Sequence, residues 1–165
     1  MIRAAYPLQE LLAEINRWRN AGKKIVFTNG VFDVLHLGHA TYLEAASQYG
    51  DVLIVGINSD LSVKSLNKGP DRPIHTAEDR AKLLSALESV TAVIIFEETT
   101  PYELILQLQP DVLVKGGDYD AECRDMANPK YIVGSTEVKK SGGRVITIPL
   151  VVGHSTTQIL SRGRQ

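Results

Sequence analysis

The sequence predicts an α/β fold, a parallel sheet of about five strands with helices on both faces, and two observations lead to it. Five short runs are almost continuously apolar: 24–29 (KIVFTN), 52–57 (VLIVGI), 92–96 (AVIIF), 111–115 (DVLVK) and 144–148 (RVITI). Continuous rather than alternating apolarity marks strands buried on both faces. Helical patterns separate these runs at 37–49, 76–87 and 101–108, with a less regular one at 131–141. Strand alternating with helix gives a parallel sheet between helical layers.

Taken in order, Leu8, Leu11, Leu12, Ile15 and Trp18 recur at helical spacing and predict a first helix at about 7–22, ending at Gly22. The core then runs from about 23 to 162. Thr76 is placed to cap the helix at 76–87, with Glu78 and Asp79 in a first turn where negative charge suits the dipole. That helix is expected to turn Leu83, Leu84 and Leu87 toward the sheet. Pro101 suits a first helical position, and Gly50 and Pro110 fall just past helix ends. The stretch 116–130 reads as a long surface loop.

The chain has 165 residues, within the ~100–200 of one domain, so residues 1–165 are expected to form a single unit. With 18 Lys and Arg against 19 Asp and Glu, the net charge of −1 disfavours a nucleic-acid-coating protein or a polybasic membrane binder. A 44% apolar and 22% charged composition is that of a globular domain rather than a disordered chain. The single cysteine, Cys123, excludes an intramolecular disulfide and a multi-cysteine zinc site. No apolar run approaches the ~18 residues of a membrane span, and no signal-peptide core opens the sequence. A cytoplasmic protein is expected.

Ligands of open α/β sheets bind beyond the carboxyl ends of the strands. Three segments answer to that rule: 28–39 (TNGVFDVLHLGH), 115–119 (KGGDY) and 153–157 (GHSTT). In the first, His36 and His39 lie three apart at a helix opening, so both rings can project from one side of the first turn. The free N–H groups there favour a phosphate, and Gly38 lets one approach the backbone closely. The chemistry this suits is charge stabilisation on a phosphoryl group. Two alternatives stand beside it: a zinc site completed by His75, His154 or Cys123, which lacks the ligand clusters metals favour, and two histidines that are simply packed. Neither a G-x-x-x-x-G-K-[ST] loop nor a G-x-G-x-x-G turn is present, which disfavours P-loop kinases and ordinary dinucleotide dehydrogenases.

The run from Gly30 to His39, GVFDVLHLGH, resembles the GxFDxxHxGH signature of the cytidylyltransferase-like nucleotidyltransferases. With Asn58-Ser59-Asp60, Asp71-Arg72-Pro73, Arg80, residues 96–101, LVKGGDY and Ser155-Thr156-Thr157, the chain from about 22 to 160 resembles the D-glycero-β-D-manno-heptose 1-phosphate adenylyltransferases. The resemblance implies a Rossmann-like domain that transfers AMP from ATP, with Mg²⁺, to a heptose 1-phosphate supplied by a separate heptose kinase. The product, ADP-heptose, would serve lipopolysaccharide core synthesis, and a homo-oligomer is expected.

The resemblance also implies residue roles. His36 and His39 would contact the triphosphate. Thr28, Asn29, Gly30 and Phe32, with Gly38, would form the nucleotide-cradling turn, largely through backbone groups. Lys115, Gly116, Gly117 and Asp118 would line the nucleoside side, and Ser155, Thr156 and Thr157 would bind the β- and γ-phosphates. Asp33, Lys68, Arg72 and Arg80 would serve the acceptor, with Lys68 and Arg80 also catalytic and the Arg80 guanidinium gripping its phosphate. No metal ligand is expected from the protein. His154 and the stretch 121–134 depart from the family pattern. Two other readings remain: a cytidylyltransferase for glycerol 3-phosphate or a related alcohol phosphate, whose RTEGIS stretch is here LVVGHS, and a nucleotide-binding module without turnover.

Overall fold

The computed structural model describes residues 4–163. After helix α1 (Leu8–Asn20), strand and helix alternate: β1 (Ile25–Gly30), α2 (Leu37–Ser47), β2 (Val52–Asn58), α3 (Asp60–Ser65), α4 (Ala77–Ser85) and β3 (Ala92–Phe96). The second half adds α5 (Tyr102–Leu108), β4 (Val112–Gly116), α6 (Ser135–Lys140), β5 (Arg144–Ile148) and α7 (Thr156–Arg162). The five strands form one parallel sheet in the order β3-β2-β1-β4-β5. All five apolar runs are strands, shifted by at most a residue or two at their ends.

Burial on both faces explains that apolar pattern. Successive residues of β1 serve opposite layers: Ile25 and Phe27 pack with Leu11, Ile15, Leu104 and Leu108 of α1 and α5. Val26 packs instead with Leu43, Ala46, Ala81 and Leu84 of α2 and α4. The strand order reverses between β1 and β4, so the chain leaves these adjacent carboxyl ends in opposite directions and opens a crevice there.

Several helices differ in detail from the sequence expectation. The Thr76 cap forms, its hydroxyl accepting from the Asp79 N–H at 3.1 Å. The buried face of α4, however, is Ala77, Arg80, Ala81 and Leu84, while Leu83 is 44% exposed. Pro101 is the N-cap of α5 rather than its first residue. The pattern at 131–141 shortens to α6, entered through Gly134 at φ +82°, where a Cβ would lie 2.8 Å from the Ile105 side chain. Helix α3, capped by the Ser59 hydroxyl on the Ser62 N–H, is too short for periodicity to reveal.

Candidate active site

Two cavities of about 270 Å³ each open at the β1/β4 crevice and share Asn29, Lys115 and Tyr119. The first lies toward α2 and α7 and is walled by Phe32, His36, His39, Tyr42, His154 and Ser155 among others. The second lies toward β2 and β3, bounded by Asn58, Lys68, Thr99, Thr100 and Tyr131. Tyr42 hydrogen-bonds the buried Thr28 hydroxyl at 2.8 Å, which fixes the floor of the first cavity.

The two histidines form the most distinctive feature of that cavity. Their rings stack, 3.8 Å between centroids and 25° between planes, and the Phe32 ring tilts against His39 at 5.2 Å. Burial, then the nearby His154, lowers the pKa of His36. Burial and the His36 ring push His39 down to about 4. His39 is therefore neutral near pH 7, as stacking against a second imidazole requires. Both Nδ1 atoms are buried without a hydrogen-bond partner among the described residues. An unpaired buried N–H is rarer than an unpaired acceptor, so the ring protons belong on the Nε2 atoms. The pair thus offers N–H donors where burial does not sustain imidazolium charge.

Lys115 stands at the junction of the cavities. Its ammonium donates to the Asn29 backbone carbonyl at 3.1 Å and the Asn29 Oδ1 at 3.3 Å, and lies 4.9 Å from the centre of the Tyr119 ring. Burial, reinforced by the charge of Lys68, lowers its pKa to about 8. An anion brought into either cavity would restore the proton's stability, so the site is built to receive negative charge.

This geometry has counterparts among known proteins. A family model described as cytidylyltransferase-like matches residues 27–162. The chain belongs to the cytidylyltransferase-like family. The stacked histidines and the Lys115 crevice lie within the matched span. The bifunctional protein HldE of Methylobacillus flagellatus is 50% identical over 155 residues, and that of Nitratiruptor sp. 57% over 143, covering 94% and 87% of this chain. The chain spans only about 30% of the length of these relatives. Among solved structures, the lipopolysaccharide core biosynthesis protein of Thermoplasma volcanium superposes with a TM-score of 0.59 at 29% identity, covering 79% of this chain and 98% of that one. A pantoate-beta-alanine ligase from Francisella tularensis shares the fold at a TM-score of 0.54 and 16% identity, over 93% of this chain and 75% of that one.

The structure brings most of the sequence-predicted residues to this crevice but changes the part several play. Asn29, Phe32, His36, Gly38, His39, Lys115, Gly116, Ser155 and Thr156 line the first cavity, and Gly30 and Lys68 the second. Gly38 lies in the cavity wall and against protein at once. A Cβ there would meet the His36 ring at 2.9 Å and the His154 carbonyl at 3.0 Å, so its bare backbone makes room for protein. Gly117 and Asp118 are exposed after β4 and line neither cavity. Ser155 caps α7 by accepting from the Gln158 N–H, while Thr157 faces a separate surface hollow with Lys68 and Arg72.

Asp33 and Arg80, expected to serve the acceptor, are engaged here by the protein itself. The Asp33 carboxylate is buried and accepts from Arg72 Nε at 2.6 Å and from the N–H groups of Ile74 and His75 at 2.8 and 3.0 Å. Burial alone would raise its pKa, but these donors together outweigh it and the net shift is downward. Phe32 and Val34 on either side take left-handed backbone angles, φ +50° and +49°, a conformation costing about 1–3 kcal/mol for such residues. The carboxylate holds that turn in place rather than meeting a substrate, and it draws one edge of the Arg72 guanidinium inward with it. Arg80 is 1% exposed, and its guanidinium donates to the carbonyls of Val31 and His75 and to Asp60 Oδ1. It lines neither cavity, and three of its five N–H donors are held by these internal acceptors. Tyr42 and Tyr131 wall the cavities without a motif of their own, while Asn58 and Thr99 lie in stretches that carry the family resemblance but had no role assigned to them.

Proposed function

We propose that this chain is an adenylyltransferase that transfers AMP from ATP to D-glycero-β-D-manno-heptose 1-phosphate, giving ADP-heptose and pyrophosphate. The observation that carries the reading is the pair of cavities meeting at Lys115 and Asn29, with two neutral histidines on one side. A donor and an acceptor held in those cavities would meet at the ammonium. The acceptor phosphate is already anionic, so no base is needed to make a nucleophile. One of its oxygens attacks the α-phosphorus, the α–β bridging bond breaks, and pyrophosphate leaves. Catalysis is then a matter of placing the partners in line and stabilising charge. His36 and His39 donate from Nε2 to triphosphate oxygens, and Lys115 bridges the attacking and attacked phosphates. The half-identical bifunctional HldE proteins favour this acceptor, and the neighbour described as a lipopolysaccharide core biosynthesis protein favours the same use.

Among the described residues no group of three or more His, Cys, Asp or Glu converges as metal ligands. In this reading Mg²⁺ would accompany the polyphosphate and neutralise part of its charge. The sugar 1-phosphate comes from a kinase reaction. No helix among the described residues is long and apolar enough to cross a membrane, in keeping with a substrate pair drawn from the cytoplasm. The test is pyrophosphate release with each of four nucleoside triphosphates against a panel of sugar and alcohol phosphates. ATP with the heptose 1-phosphate should give the highest kcat/KM. Preference for CTP with glycerol 3-phosphate would overturn the assignment, and ATP binding without pyrophosphate from any acceptor would make the chain a binding module.

A further inference from the structure

We infer that Asn58 is a specificity-determining residue of the second cavity, presenting its side-chain carbonyl to a hydroxyl of the sugar; this rests on reading that cavity as the acceptor's. Asn58 ends β2, is only 4% exposed, and lines the cavity together with Lys68 and Lys115. The orientation of its amide follows from its neighbours. The Ser62 hydroxyl has a single proton and gives it to the Glu98 carbonyl at 2.7 Å. Lying 2.9 Å from the Asn58 amide, it must therefore accept there, which makes the near atom Nδ2 and the far atom Oδ1.

Oδ1 is thus the atom left over. It has no donor among the described residues, yet it is not among the buried atoms lacking partners, so it is open to the space the residue lines. The chain from Asn58 through Ser62 to Glu98 joins the ends of β2, α3 and β3 and prevents the amide from turning. A fixed acceptor beside two ammonium groups suits a ligand that is anionic at one end and carries hydroxyl donors at the other. A sugar phosphate has that chemistry, and a simple alkyl phosphate lacks the second half. The hydroxyls of Thr99 and Thr100 in the same wall add adaptable partners, whereas Asn58 is the one held in a single orientation.

The test is Asn58→Leu, of similar size but without polar atoms, assayed with ATP and D-glycero-β-D-manno-heptose 1-phosphate. The expected result is a rise of about tenfold or more in KM for the sugar phosphate, the loss of one good hydrogen bond, with kcat and the ATP Kd within about twofold of wild type. Monodeoxy analogues locate the hydroxyl: the wild type should discriminate against at least one, and Asn58→Leu should not. Ser62→Ala, which removes only the partner that orients the amide, should show the same acceptor-confined loss in smaller degree and decides the matter if Asn58→Leu fails to fold. Equal losses for ATP and acceptor, or unchanged acceptor KM in both variants, would overturn the inference. A wild-type protein that turns over no sugar phosphate would instead overturn the adenylyltransferase reading itself.

Discussion

Replacing Arg80 by alanine separates a phosphate-gripping arginine from one that holds the fold together. The guanidinium donates to His75 O at 3.1 Å, Val31 O at 2.8 Å and Asp60 Oδ1 at 2.8 Å. Removing one member of a buried ion pair costs about 3–5 kcal/mol, because the other is left uncompensated. Here Asp60 retains 39% of its side-chain exposure and can recover water, which lowers the charge penalty. The carbonyls of Val31 and His75 lose a donor as well, so the expected cost is about 3 kcal/mol, a large part of the ~5–15 kcal/mol of a typical domain. Urea unfolding followed by circular dichroism should show the midpoint falling by about 1–3 M at unchanged slope. Arg80→Lys should recover little of that, because one ammonium cannot reach three acceptors in a planar fork. At temperatures where both variants remain folded, the acceptor KM should change far less than stability. Wild-type unfolding midpoints together with a tenfold loss in acceptor kcat/KM would refute this account and return Arg80 to the substrate.

Three further outcomes follow from the site. His39 has a folded pKa of about 4 against 6.5 unfolded, so the unfolded chain binds the extra proton first and stability declines as pH falls from about 6.5 to 4; His39→Ala should flatten that decline in thermal melts, and should lower kcat by about 10²–10³, as loss of a charge-stabilising donor does. Burial lowers the Lys115 pKa to about 8, so kcat/KM for the acceptor should fall above about pH 8, and Lys115→Arg should move that limb upward; an unchanged limb would remove Lys115 from the reaction. Ser155→Ala should destabilise by about 1 kcal/mol through the lost cap of α7, whereas Thr157→Ala should leave the melting temperature nearly unchanged.

The sheet was legible because burial on both faces leaves a continuous apolar run, and each such run is a strand. The placement of His36 and His39 was legible because three-residue spacing at a helix opening sets both rings on one side of its first turn. The fate of the cations was not. Whether an arginine faces a ligand or its own carbonyls depends on partners far along the chain: Arg72 meets Asp33 across 39 positions and Arg80 meets Val31 across 49. A signal for Arg80 was nevertheless present. Ala77, Ala81 and Leu84 form a stripe at helical spacing, and position 80 lies within it, so the arginine shares the buried face of α4. An arginine in an apolar stripe is held by internal acceptors when it is not at a ligand. The wall residues Tyr42 and Tyr131 left no such trace, because a cavity between strand ends is defined by packing and not by local spacing.

Asp33 and Arg80 tie together the segments around the crevice. Asp33 gathers Arg72 and the backbone of residues 74–75 with its carboxylate, while its own carbonyl accepts the Thr156 hydroxyl at 3.0 Å. The turn after β1, the loop before α4 and the start of α7 are thereby fixed to one residue. Arg80 ties the same turn, at Val31, to α3 through Asp60. His36 and His39 follow directly on the turn so held, whereas Lys68 stands on the loop after α3 and Lys115 on β4. Charge stabilisation by fixed donors is effective because no reorganisation is needed when the charge develops. An arginine spent on the fold therefore contributes to a phosphate it never touches.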